Sequence, residues 1–427
     1  MAGISDPRGE GMVISAVESG WSAHSGWLLV ALAASALVLF IVRGRRRIIQ
    51  FNRAQSLNRL GREAHSGGDL GEAERLLSEG LASAQQTRNH FQEAVSLHGL
   101  SMLALSRGRP AEARRLSAES LRLVRELKHR AGEAGPLYAL GAAAEILGEL
   151  AEAQRLYRES LSITREFGDK PGEASCLHML GWVAQSHGDL DDTEESYRQS
   201  LALSRELGDR LGEARSISHL GMVALSRGNL DEAEQSLRKA LEVFRAAGAR
   251  GDAVASLDQL GRAAQGRGHI EDAESLYQES LAIARDVGDS RGEAATLHQL
   301  GSLAETRGDP EGAHRLYSLS LAIRRDIGER KGEAATLHQL GRLAHTRDDL
   351  KEARRLYGLS LAIERDLGDR PGEAISLWGL ALVDERQGRL RLAVRQMEKA
   401  AAMLEEMGHV EKHGARAELK RMRKRLT

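Results

Sequence analysis

Leucine and alanine recur along this chain at helical spacing, and the recurrence has a second, longer period. In residues 172–186, GEASCLHMLGWVAQS, Leu177, Leu180 and Ala184 fall at i, i+3 and i+7, one apolar face of a helix. His187-Gly188-Asp189 interrupts it: the glycine supplies a helix stop, and Asp189 an N-cap for a second helix running from Leu190 to Leu207. Tyr197 and Leu201 lie on the inner side of that helix, and Gly208-Asp209 closes the pair. The same hairpin returns every 40 residues, marked by Gly61, Ser101, Gly141, Gly181, Gly221, Gly261, Gly301, Gly341 and Ala381, each preceded by a leucine. The units starting at Gly292 and Gly332 both open with GEAATLHQLG. Nine units therefore run in register without insertion or deletion. Such repetition predicts an array whose units pack only on their neighbours.

The punctuation follows the same period. Gly68, Gly108, Gly148, Gly188, Gly228, Gly268, Gly308 and Gly388 occupy the inner turn, with only Asp348 departing. Pro110 and Pro310 fall two residues later, near the first helical position, where proline costs no hydrogen bond. Pro171 and Pro371 mark the outer turn in the same way. Pro136 instead lies inside a first helix and predicts a late start or a kink there. Beyond Met407 the pattern fades, but Ala415, Leu419 and Met422 share one face of a last helix, so residues 408–427 are expected to form a basic cap over the open end of the array. Lys420, Arg421, Arg423, Lys424 and Arg425 give that segment an alternative use as a patch for lipid headgroups or an acidic partner.

The chain before the array reads differently. Residues 1–26 carry no clear periodicity and are expected to be flexible. Residues 27–42, WLLVALAASALVLFIV, contain no charge and predict a transmembrane helix, followed by a basic juxtamembrane linker, 43–53, and the array, 54–407. Arg43, Arg45, Arg46 and Arg47 follow the segment while Asp6, Glu10 and Glu18 precede it. The positive-inside rule then predicts a single-pass membrane protein with its N-terminus outside and its array cytoplasmic. A cleaved signal peptide and a buried core helix are the other readings of the segment.

Composition and charge narrow the chemistry. A net charge of −1 gives no global reason to expect nucleic acid. One cysteine, Cys176, excludes an intramolecular disulfide. Aromatic residues make up only 4%, while the abundance of Ala, Leu, Glu and Arg favours helix. The preference for Arg over Lys, with much Ala and Gly, points to a bacterium with a GC-rich genome. His98, His178, His298 and His338 share one repeat position, but zinc needs ligand atoms about 2 Å from one ion, and packed helices lie about 8–10 Å apart. They read as a recurring position and not as a metal site. No phosphate-binding loop, cofactor motif, small-molecule site or catalytic constellation is expected.

Leu or Ile, then Leu-Gly, then Ala and a large residue, as in Ile217, Leu220-Gly221, Ala233 and Leu237, or Leu297, Leu300-Gly301, Ala313 and Tyr317, resembles the tetratricopeptide repeat. The usual unit has about 34 residues. The longer unit here resembles the class found in kinesin light chains and cell-polarity adaptors. That resemblance implies an all-α, right-handed superhelical solenoid of nine helix-turn-helix repeats with a C-terminal capping helix, here preceded by the single transmembrane helix. It also implies a concave groove lined by the first helices, with contact positions three before, one after and four after the motif glycine. Those positions name His98, Met102, Leu105, Tyr138, His178, Trp182, Met222, Leu225, Arg262, His298, His338, Arg342 and Trp378 as candidate groove residues. The Met and aromatic members either form an adaptable binding surface or pack as core against the neighbouring repeat. The paired asparagines of the family's carboxylate clamps are absent. The expected function is a non-enzymatic, membrane-tethered scaffold that binds a partner peptide or helix. The alternative is a bacterial signalling regulator acting with a separate nucleotide-hydrolysing switch protein.

Overall fold

The computed structural model describes residues 53–426. They fall into two compact units, one ending at Phe167 and the other beginning at Gly168. The first contains α1 (53–66), α2 (Leu70–Thr87), α3 (His90–Ser106), α4 (Pro110–Glu126), a 3-10 turn (Arg130–Glu133), α5 (Ala134–Ile146) and α6 (Leu150–Phe167). The second contains α7 (Lys170–His187), α8 (Leu190–Leu207), α9 (Arg210–Ser226), α10 (Leu230–Ala247), α11 (Arg250–Gly266) and α12 (Ile270–Val287). It continues through α13 (Ser290–Thr306), α14 (Pro310–Asp326), α15 (Arg330–Thr346), α16 (Leu350–Leu367), α17 (Arg370–Arg386), α18 (Leu390–Glu406) and α19 (Lys412–Leu426). Odd-numbered helices up to α17 are the first helices of their repeats, and from α3 onward each packs mainly on the even-numbered helix that follows.

Local chemistry sets these boundaries. Asp189 Oδ1 accepts from the amide of Asp192 at 3.1 Å, and Asp169, Asp209, Asp289, Asp309, Asp349 and Asp369 cap their helices in the same way. Helices α4 and α14 begin at the prolines, and α5 starts late, at Ala134, after the 3-10 turn that leads into Pro136. The turn glycines take left-handed backbone, and three positions reach it without glycine: Arg88 at φ 54°, Lys128 at 54° and Asp348 at 64°. Relieving this conformation at Lys128 by Lys128→Gly is expected to stabilise the first unit by about 1 kcal/mol, less the flexibility glycine adds to the unfolded chain. A thermal midpoint that does not rise would refute it.

Between the helices of a repeat, the motif glycine lies beneath a large side chain of the second helix. A Cβ on Gly301 would sit 2.8 Å from Tyr317, and on Gly141 2.8 Å from Tyr157. The absence of a side chain therefore lets the tyrosine ring lie directly on the first helix. A serine one turn further along the second helix donates to a first-helix carbonyl: Ser160 to Ala134 at 2.9 Å, Ser320 to Ala294 at 2.7 Å, Ser360 to Ala334 at 2.8 Å. Between repeats, Arg227 reaches back to Asp191 and Glu194, and Arg307 to Glu271 and Glu274. Exposed ion pairs of this kind are each worth about 0–1 kcal/mol, so they align neighbouring repeats more than they stabilise them.

Neighbouring first helices touch directly, α3 with α5, α9 with α11, α11 with α13 and α15 with α17. Second helices stand further apart and leave crevices of about 280–340 Å³ between α4 and α6, α8 and α10, and α10 and α12. A stack packed more tightly on one layer curves toward that layer, so within each unit the first helices form the inner face.

The expected membrane-spanning helix is corrected. No helix among the described residues is long and apolar enough to cross a membrane. The array helices have at most 18 residues and carry charges on their outer faces, as with Asp191, Asp192 and Arg205 on α8. Residues 27–42 lie outside the described residues. The single-pass topology, with an outside N-terminus and a cytoplasmic array, therefore has no support, and neither does a membrane partner. The architecture is an all-α helical solenoid.

Candidate functional site

The three groove positions of each first helix separate into two layers. Those three residues before the motif glycine turn inward and bear on the next element. Tyr138 packs on Tyr157 with ring centroids 5.4 Å apart, His178 on Tyr197 at 5.2 Å, His298 on Tyr317 at 5.1 Å and His338 on Tyr357 at 5.0 Å. Others bond to the following repeat. Thr296 Oγ1 donates to Asp258 at 2.8 Å, Ser96 Oγ to Asn58 at 2.7 Å, Ser218 meets Ser256 at 3.1 Å, and His298 Nδ1 meets Thr336 Oγ1 at 3.1 Å. Asn58, Ser218 and Asp258 are buried outright.

Burial sets the ionisation of this layer. It pulls His98, His178, His298 and His338 down to about 4, and His219, one residue nearer its glycine, down to about 3. Part of each ring still meets solvent, but Nδ1 of His98, His219 and His338 is buried without a hydrogen-bond partner among the described residues. Burial acts oppositely on Asp258, whose carboxyl rises to about 6 despite its bonds to Ser280 and Thr296.

The positions one and four residues after the glycine form the outer layer. Met102, Leu105, Trp182, Met222 and Leu225 are half-buried there, and Arg262 and Arg342 are exposed. Arg342 forms an ion pair with Glu305 of the preceding repeat and donates to Gln339 at 2.9 Å. The ninth repeat differs. A Cβ on Gly414 would lie 3.0 Å from Trp378, so α19 packs against this tryptophan, and Glu385 is buried beneath Arg421 and Arg425. Helix α19 thus takes the place of a tenth first helix and covers Trp378.

One layer escaped the sequence reading. Two of the tyrosines whose rings cover the glycines extend their hydroxyls to the residue four after the glycine: Tyr157 Oη donates to Glu145 at 2.9 Å and Tyr277 Oη to Gln265 at 3.3 Å. Glu145 and Gln265 rest on the core through these bonds. The recurrence of Tyr sixteen residues after the glycine, at 157, 197, 277, 317 and 357, was the available signal. Among the described residues, no three His, Cys, Asp or Glu are placed to hold a metal ion.

Stacked helical hairpins, most of them locked by a small residue under a large one and presenting one face of first helices, define a helical-repeat protein. A tetratricopeptide repeat profile matches residues 52–126, 133–206, 183–246, 212–286, 252–326 and 332–406, and the chain belongs to the tetratricopeptide repeat family. No curated protein shows a significant sequence match. Among solved structures, the chain is similar to the apo form of the quorum sensor NprR from B. thuringiensis, with a TM-score of 0.57 and 12% identity over 78% of this chain and 94% of that one. It is also similar to a Rap protein complexed with Competence and Sporulation Factor, with a TM-score of 0.55 and 12% identity over 79% of this chain and 99% of that one. Repeats of a putative kinesin light chain from Podospora anserina share 20% identity over 45% of this chain and 95% of that one, at a TM-score of 0.36. At 12% identity the likenesses to NprR and to the Rap protein speak for the fold alone.

Proposed function

We propose that this chain is a non-enzymatic interaction array that holds a partner peptide or helix against the inner face of its first helices. The observation that carries the reading is the half-buried apolar group Trp182, Met222 and Leu225 on α7 and α9. Their positions face outward from the tyrosine layer, and apolar side chains left open on an inward-curving face favour a ligand that covers them. Pull-down with wild type and with the double variant Trp182→Ala, Met222→Ala tests this. Loss of a specifically recovered partner is expected, by about tenfold or more for truncation of buried anchors. Equal recovery by both proteins would reject the inner face as the site.

The fold likeness to the quorum sensor NprR and to a Rap protein complexed with Competence and Sporulation Factor favours one variant of this reading, in which the array regulates signalling. The alternative partner, a nucleotide-hydrolysing switch, would be recovered preferentially in one nucleotide state.

A further inference from the structure

Three arginines occupy the same repeat position, one after the motif glycine: Arg62 on α1, which has no preceding repeat among the described residues, and Arg262 on α11 and Arg342 on α15, which can be compared. Their local settings match. Arg262 donates to Gln259 at 2.9 Å and Arg342 to Gln339 at 2.9 Å. The preceding repeat distinguishes them. Arg342 is neutralised by Glu305, four after the glycine of its preceding repeat. At the equivalent position before Arg262 the chain carries Leu225. Arg262 is exposed and has no ion pair among the described residues. Asp258, one turn back on the same helix, faces inward to Thr296 and lies buried. On the next repeat, Ser302 and Thr306 face Gln265 and bring no acid.

Resting on the reading that the inner face binds a peptide, we infer that Arg262 recognises a carboxylate side chain of that ligand, flanked by apolar residues that cover Met222 and Leu225. The ligand carboxylate occupies the position that Glu305 fills for Arg342. Guanidinium–carboxylate pairs are geometrically selective, and the apolar neighbours exclude water from one side of the pair. Neighbouring first helices are about 8–10 Å apart and an extended chain advances about 3.3 Å per residue. The acidic residue and the side chain over Trp182, two repeats back, are therefore separated by about six residues, with apolar residues between.

The test uses a library of N-acetylated, C-amidated peptides of randomised sequence, which removes terminal carboxylates, screened against the full chain. Wild type is expected to enrich Asp or Glu next to apolar residues. Arg262→Glu is expected to invert that preference to Lys or Arg. Leu225→Glu, which installs the closed arrangement of Arg342, is expected to abolish it. Arg262→Gln should weaken the best peptide by about tenfold. Peptides enriched by wild type with no acidic preference, or the same preference in Arg262→Glu, would overturn the inference while leaving the inner-face reading intact. Enrichment no better than that of Trp182→Ala, Met222→Ala would overturn the inner-face reading and this inference with it.

Discussion

Taking the protein from pH 7.5 to pH 5 is expected to unfold much of the array, and the second unit most of all. His178, His219, His298 and His338 in that unit and His98 in the first have folded values of about 3 to 4, against 6.5 for a free histidine. A lowered histidine value means that the unfolded state binds more protons. Stability is therefore complete above pH 6.5 and is lost as pH falls toward 4. At pH 5 each ring costs about 2 kcal/mol, and partial contact with water lowers this. Five together still remove on the order of 5 kcal/mol, comparable with the roughly 5–15 kcal/mol that holds a typical domain. Asp258 works the other way. Its raised value means stability that is present below 3.8 and lost as pH rises through about 6, so acidification to pH 5 returns about 1 kcal/mol. Five histidines outweigh one aspartate. Repeat three shows that tyrosine fits the histidine position, since Tyr138 packs on Tyr157 as His298 packs on Tyr317. The double variant His298→Tyr, His338→Tyr should therefore shift the acid midpoint, followed by circular dichroism, downward by about half a pH unit. An unchanged midpoint would show that the histidines do not govern acid unfolding.

Gly301→Ala is expected to destabilise by about 2 kcal/mol, although alanine is the better helix former by about 1 kcal/mol. The new methyl would lie 2.8 Å from both Cδ1 and Cε1 of Tyr317, a fully buried ring with no room to retreat. The same substitution at Gly358, which has nothing within 4 Å of the added atom, should stabilise by about 0.5–1 kcal/mol. The chain itself contains the compensated forms. Where the motif residue has a side chain, its partner is not tyrosine: Ser101 hydrogen-bonds Ser117, and Ala381 stands opposite Met397. Combining Gly301→Ala with Tyr317→Met should recover most of the loss. Strict additivity of the two changes in chemical denaturation would show that they do not act on one contact.

Much of the repeat was legible because the signals are local. The 40-residue period, Asp189 as an N-cap, the prolines at α4 and α14 and the late start near Pro136 all depend on residues close in sequence. The inner face was only partly legible. Helical spacing puts His298, Ser302 and Glu305 on one side of α13, but cannot say that His298 turns toward Tyr317 and Thr336 while Glu305 pairs with Arg342 of the next repeat. Those partners lie in the second helix and in the next repeat, and only the packing of repeats brings them across. Trp378 shows the same limit, since nothing before Met407 indicates that Gly414 will cover it.

The tyrosine hydroxyls give the inner face a mechanical property. Gln265 is open to a ligand, yet it also accepts the hydroxyl hydrogen of Tyr277, whose ring is sealed between α11 and α12. A ligand that draws this amide away leaves a phenol unsatisfied in the interior, a loss of about 1–3 kcal/mol unless the ligand replaces the acceptor. Occupancy of the surface at Gln265 is thus felt at the seam between α11 and α12, and Tyr157 places Glu145 in the same position.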